Sequence, residues 1–112
     1  MKLLDKLTAN PIQKYTVITE EGDRFTLDLR FLPSQSAWEV SVTWGSVLIL
    51  GISLVLSPNL LFGFRNILPF GLLVNATNGI EPAYLDDFTT GRIKLYVMTE
   101  NDLAELDEKL PQ

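Results

Sequence analysis

Neither cysteine nor histidine occurs anywhere in the sequence. Without cysteine there is no disulfide, no thiolate nucleophile and none of the usual marks of an oxidising compartment, so synthesis in a cytoplasm is the expectation. Without histidine the chain also lacks the commonest general base and a favoured metal ligand. Positive charge is sparse and dispersed over Lys2, Lys6, Lys14, Arg24, Arg30, Arg65, Arg92, Lys94 and Lys109, against fourteen acids, for a formal charge of −5. No basic stripe exists to neutralise phosphates, and nucleic-acid binding is not expected. An uninterrupted long apolar run is missing too. The stretch Val40 to Phe64 carries no charge, long enough for the roughly 20 residues of a membrane span. Gly45, Gly51, Ser57, Pro58, Asn59 and Gly63 divide it, and Lys and Arg do not gather at either flank as the positive-inside rule favours. The densely apolar part, Val47 to Leu56, is rich in β-branched residues and reads as buried β-structure. At the amino terminus, Asp5 and Lys6 fall where a signal peptide would need its apolar core, so no secretory signal is read.

What is present is period-two alternation. Phe25, Leu27, Leu29 and Phe31 share one face of a strand, with Thr26, Asp28 and Arg30 on the other, the pattern of a half-buried strand. Gln13 to Thr19 precedes it across the turn Glu20-Glu21-Gly22-Asp23, and Trp38, Val40 and Val42 alternate after it. The short connections predict three antiparallel strands in meander order. Trp44-Gly45-Ser46 predicts a tight turn, and Gly51 a bulge or break. Ser57 with Pro58 predicts the start of a short helix. Leu72 to Ala76 and Arg92 to Thr99 predict later strands, the second with Ile93, Leu95 and Val97 on one face and Lys94, Tyr96 and Met98 on the other. The predicted fold is all-β: a small single-domain sandwich or barrel of short antiparallel strands, with one or two short helices. One domain spans 1–112, with 1–12 as an N-terminal arm and 100–112 as an acidic C-terminal tail or short helix in which Leu103, Leu106 and Leu110 keep helical spacing.

Candidate chemistry is thin. Asp86 and Asp87 in the loop from Ile80 to Gly91 offer oxygen ligands for a hard cation or an acid/base pair, though adjacent loop acids more often cap local amides. The alternative reading is thus a small soluble cation-binding or carboxylate-based enzyme domain using Asp86 and Asp87, with a small membrane protein less favoured still. Glu20-Glu21-Gly22-Asp23 lacks the ligand spacing of a calcium loop. No catalytic, cofactor-binding or metal residue is assigned, no cofactor is expected, and the chain is read as not an enzyme. Trp38 aligns with the core face, whereas Trp44 beside Gly45 is expected to be partly exposed. Leu60, Leu61, Phe62, Phe64, Ile67, Leu68 and Phe70 form a second apolar cluster outside clear strands. Apolar surface that a small fold leaves uncovered marks association, so assembly is the leading function class.

The segments YTVITEEGDRFTLDLRF (Tyr15 to Phe31), AWEVSVTW (Ala37 to Trp44), LILGISLVLSPNLLFGFR (Leu48 to Arg65), GLLVNATNG (Gly71 to Gly79) and a DDF-containing loop before RIKLYVM (Arg92 to Met98) occur in this order. In them the chain resembles the small plug protein of the central baseplate of contractile-tailed bacteriophages, a family described from a cyanophage. The resemblance implies a structural virion protein of a contractile phage tail, located in the tail baseplate, without catalysis. It would help close or organise the lower end of the tail tube among hub, tube-initiator and spike proteins. It implies a homo-oligomer, trimeric if it follows the threefold symmetry of the hub. Combined with the apolar clusters, it makes Trp44, Leu60, Leu61, Phe62, Phe64, Phe70, Tyr84 and Phe88 the expected subunit interface, and the loop Glu81 to Thr90 a source of polar contacts.

Overall fold

The structure, a computed structural model, describes residues 2–19 and 22–109, the side chains of 106–109 excepted. Its strands are β1 (Lys2–Leu3), β2 (Ile12–Ile18), β3 (Arg24–Leu32), β4 (Ala37–Trp44), β5 (Val47–Ser53), β6 (Gly71–Ala76) and β7 (Ile93–Met98), followed by one helix, α1 (Glu100–Lys109). Two antiparallel sheets result: a four-stranded meander in the order β2-β3-β4-β5, and a three-stranded sheet in the order β1-β7-β6. Alternation in sequence becomes alternation in space. Phe25, Leu27 and Leu29 of β3 and Trp38, Val40 and Val42 of β4 are buried, and Leu72, Val74, Ile93, Leu95 and Val97 join them from the other sheet in one continuous core. Phe25 and Phe70 stack at the centre, ring centroids 3.7 Å apart and planes 6° from parallel. Side chains of this size each add about 1.5–3 kcal/mol when fully withdrawn from water.

Several expectations change in three dimensions. The segment Val47 to Leu56 is not a buried strand. It supplies β5, the last strand of its sheet, whose residues alternate between half-buried and exposed until Gly51. At Gly51 the register with β4 shifts, and the Gly51 amide donates to Ser41 Oγ (3.1 Å); the expected bulge is present. Ser57 does not cap a helix. It forms an isolated bridge with Val74 of β6, and the helical turn starts later, as a 3-10 turn at Phe62–Phe64. Asn59 stands before that turn, its side chain accepting from two backbone amides. Met98, expected on the outer face of β7, is buried together with Val97 where α1 packs on that strand.

The first residues are more than an arm: β1 pairs with β7, and Leu4 and Leu7 enter the core. The acidic tail is helical through Lys109. Thr99 and Asp102 bracket its start, the Thr99 amide donating to Asp102 Oδ2 (3.1 Å) and the Asp102 amide to Thr99 Oγ1 (3.4 Å), the reciprocal arrangement of a capping box. Leu103 is buried; the side chains of Leu106 and Leu110, like Glu20 and Glu21 of the first turn, lie outside the described residues.

Candidate assembly surface

Besides Leu3, Ile12, Ile18, Leu48 and Leu50 on the strands, the exposed large apolar side chains among the described residues lie on two irregular segments. The first joins β5 to β6. Asn59 is buried, and its Oδ1 accepts from the amides of Leu61 (3.0 Å) and Leu72 (3.2 Å). Leu60 donates its own amide to Leu72 O (2.7 Å), so the chain is held against β6 before it turns. This close approach needs a glycine opposite: a Cβ on Gly71 would stand 2.6 Å from Asn59 Oδ1 and 2.9 Å from a Leu103 methyl. Leu61 and Leu68 then anchor the two ends of the turn in the core, which forces Phe62 outward at 67% exposure with Ile67 exposed beyond it.

The second segment is the loop between β6 and β7, organised by one buried ion pair. Asp87 is only 1% exposed, and its Oδ1 accepts from Arg92 Nε (2.8 Å) and Nη2 (2.8 Å). Its Oδ2 accepts from the amides of Ala83 (2.8 Å) and Tyr84 (2.9 Å). A buried carboxylate needs such partners to offset its lost hydration. The rest of the guanidinium holds the near side of the loop, with Nη1 donating to Ile80 O (2.7 Å) and Nη2 to Glu81 O (3.1 Å). Arg92 also lies over the Tyr84 ring, 5.4 Å from its centroid. Two further ties fix the loop to the sandwich: Trp38 Nε1 donates to Tyr84 O (3.0 Å), and Glu81 Oε2 accepts from the Leu56 amide (2.7 Å). With the Asp87 carboxylate turned inward, the loop presents Ile80, Tyr84 (61% exposed) and Leu85 to solvent alongside the exposed Glu81, Asp86, Thr89 and Thr90.

The eight residues expected at an interface therefore separate. Phe62 and Tyr84 are exposed. Trp44, Leu60, Phe64 and Phe88 are half-buried and pack on the core, Trp44 edge-on to Phe70 (82°) and Phe88 tilted against Trp38 at 4.9 Å. Leu61 and Phe70 are buried inside the chain's own core and have no surface to offer a partner. Asp86 and Asp87 also part company: Asp86 is exposed and accepts through its carbonyl from Thr89 and Thr90, whereas the Asp87 carboxylate is engaged by Arg92 and two amides. Arg92 had no role in the sequence beyond opening a strand. The only signal was its position five residues after a loop acid.

Large apolar side chains held in solvent by internally bonded loops are the surface character of a protein that works in contact with other proteins. No helix among the described residues is long and apolar enough to cross a membrane. The family model described as "Cyanophage baseplate Pam3 plug gp18" matches residues 1–100, and the chain belongs to that family. It is accordingly a structural component of the phage tail baseplate, part of the virion, that assembles with other baseplate proteins. No curated protein matches the chain.

Proposed function

We propose that the chain is a non-enzymatic plug of a contractile tail, seated among hub, tube-initiator and spike proteins, where as a homo-oligomer it closes or organises the lower end of the tail tube. The observation that supports this most directly is the pair of exposed aromatics, Phe62 and Tyr84, on loops whose backbones are fixed by Asn59 and by the Asp87–Arg92 pair. A preorganised loop loses little freedom on docking, so its apolar area contributes to binding with a smaller ordering cost. Aromatic side chains are also those most often found to dominate interface energies. In this reading Phe62 and Tyr84 enter pockets on neighbouring baseplate proteins, Leu60, Phe64 and Phe88 support them from below, and Trp44 adds its exposed edge.

The test replaces Phe62 and Tyr84 by Ser, singly and together, in the phage. The purified variants should melt within about 1 kcal/mol of the parent, as for surface positions, while tails purified from the mutant phage carry less of the protein. Tails with the full complement of the doubly substituted chain would overturn the reading.

A further inference from the structure

Four strand edges are available in the two sheets, and three carry a device against pairing with another chain. β1 is two residues long. β6 is covered by residues 57–60 through the Ser57–Val74 bridge and the Leu60 amide. β2 starts directly after Pro11 and carries Lys14. On β5, residues 47–50 are Val, Leu, Ile and Leu, without charge or proline, and Leu48 and Leu50 are 58% and 71% exposed.

We infer that β5 is a self-pairing edge, on which a second copy of this chain adds its own β5 antiparallel across a two-fold axis at Ile49. The register follows from the hairpin. Gly45, at φ 59°, opens a two-residue loop closed by the Trp44–Val47 pair, and the pair flanking such a loop is hydrogen-bonded within the hairpin. Val42 and Ile49, two residues on, are bonded likewise, so the amides and carbonyls of Leu48 and Leu50 point away from β4. Placing Ile49 opposite Ile49 of the second copy sets Leu48 opposite Leu50 in both directions. Every outward backbone group of Leu48 and Leu50 then finds a partner, and the exposed leucines of both copies meet on one face. The bulge at Gly51 ends the pairing where the ladder would otherwise continue. A second copy is the occupant this edge fits because the same residues answer themselves under the two-fold, the condition for an isologous contact.

This contact rests on the reading of the chain as a homo-oligomer and names the surface it uses. It builds pairs of the free protein, not the trimer that a threefold hub implies. Strand pairing this short buries less than the roughly 1,200 Å² of a stable complex, so the dimer forms and dissociates with concentration.

The absence of cysteine makes the test clean. Leu48→Cys and Leu50→Cys variants, distinguishable by a tag, are mixed at high concentration and oxidised. In the inferred register the two substituted positions face each other at about 5.5 Å between Cα atoms, inside the range a disulfide spans. Like positions are roughly 8 Å apart, two residues out of step, and too far to bridge. The expected result is a mixed cross-link well above the share random collision gives, lost when the chain is diluted. Both positions are exposed, so the fold is retained and is checked by circular dichroism. No cross-link, or equal cross-linking of like and unlike positions, overturns the inference. In the chain without cysteine, Leu50→Lys should weaken self-association in sedimentation by roughly tenfold or more; unchanged association overturns it as well. Because these experiments use the isolated chain, their failure leaves the baseplate role to be decided by the tail experiments.

Discussion

Replacing Arg92 by Ala should be among the most damaging single changes outside the hydrophobic core. Arg92 side-chain exposure is 15% and that of Asp87 is 1%, so the substitution leaves an ionised group buried with two amide donors instead of four N–H contacts. Breaking a buried pair by removing one partner costs about 3–5 kcal/mol. The retained amides of Ala83 and Tyr84 move the expectation to the lower end, about 3 kcal/mol. That is a large part of the roughly 5–15 kcal/mol available to a domain and corresponds to a fall in Tm of about 12 °C at this chain length. The assay is urea denaturation of purified parent and variant, with tryptophan emission followed separately because Trp38 is tied to the loop through Tyr84 O. Arg92→Lys should recover only part of the loss, since an ammonium cannot reproduce the planar fork that meets Asp87 and the two loop carbonyls. The double variant Asp87→Ala with Arg92→Ala should cost less than the sum of the single changes, which isolates the coupling. A loss below about 1 kcal/mol for Arg92→Ala, the value of an exposed pair, would refute the role given to it.

The remaining predictions concern the core, the turn and the helix. Phe70→Ala removes one half of the stack with Phe25 and should cost about 3–5 kcal/mol, measured by the same denaturation, whereas Phe62→Ser should leave stability nearly unchanged. Gly71→Ala should destabilise by about 1–3 kcal/mol as the new methyl meets Asn59 and Leu103, and a crystal structure of the variant should show the 59–62 turn displaced from β6. Thr99→Ala opens the capping box and should cost about 1 kcal/mol, seen as faster amide exchange in the first turn of α1 than in β7.

Where burial falls on alternate residues, the sequence announces it. β3 and β4 are legible from Phe25 to Val42 because polar and apolar residues alternate with the pleat, and the core residues follow directly. β5 is different: Val, Leu, Ile and Leu occupy both of its faces, so composition carries no information about which face is covered. Its position at the end of the sheet, which exposes Leu48 and Leu50, is a property of topology. In the 57–70 segment no period exists at all, and Leu61 and Phe62 look equivalent until Asn59 and the two leucine anchors fix the turn. The Asp87–Arg92 pair was hidden for the same reason, since a loop brings together residues that no repeat relates. The ordered segments from Tyr15 to Met98 nevertheless carried the family, and the family model covers them all.

The most direct measurement is a cryo-EM reconstruction of the intact tail at side-chain resolution. The account predicts this two-sheet fold at the lower end of the tail tube, with Phe62 and Tyr84 buried against neighbouring baseplate proteins and the Asp87–Arg92 pair intact beneath. A reconstruction with both aromatics facing solvent, or with the chain away from the end of the tube, would contradict it.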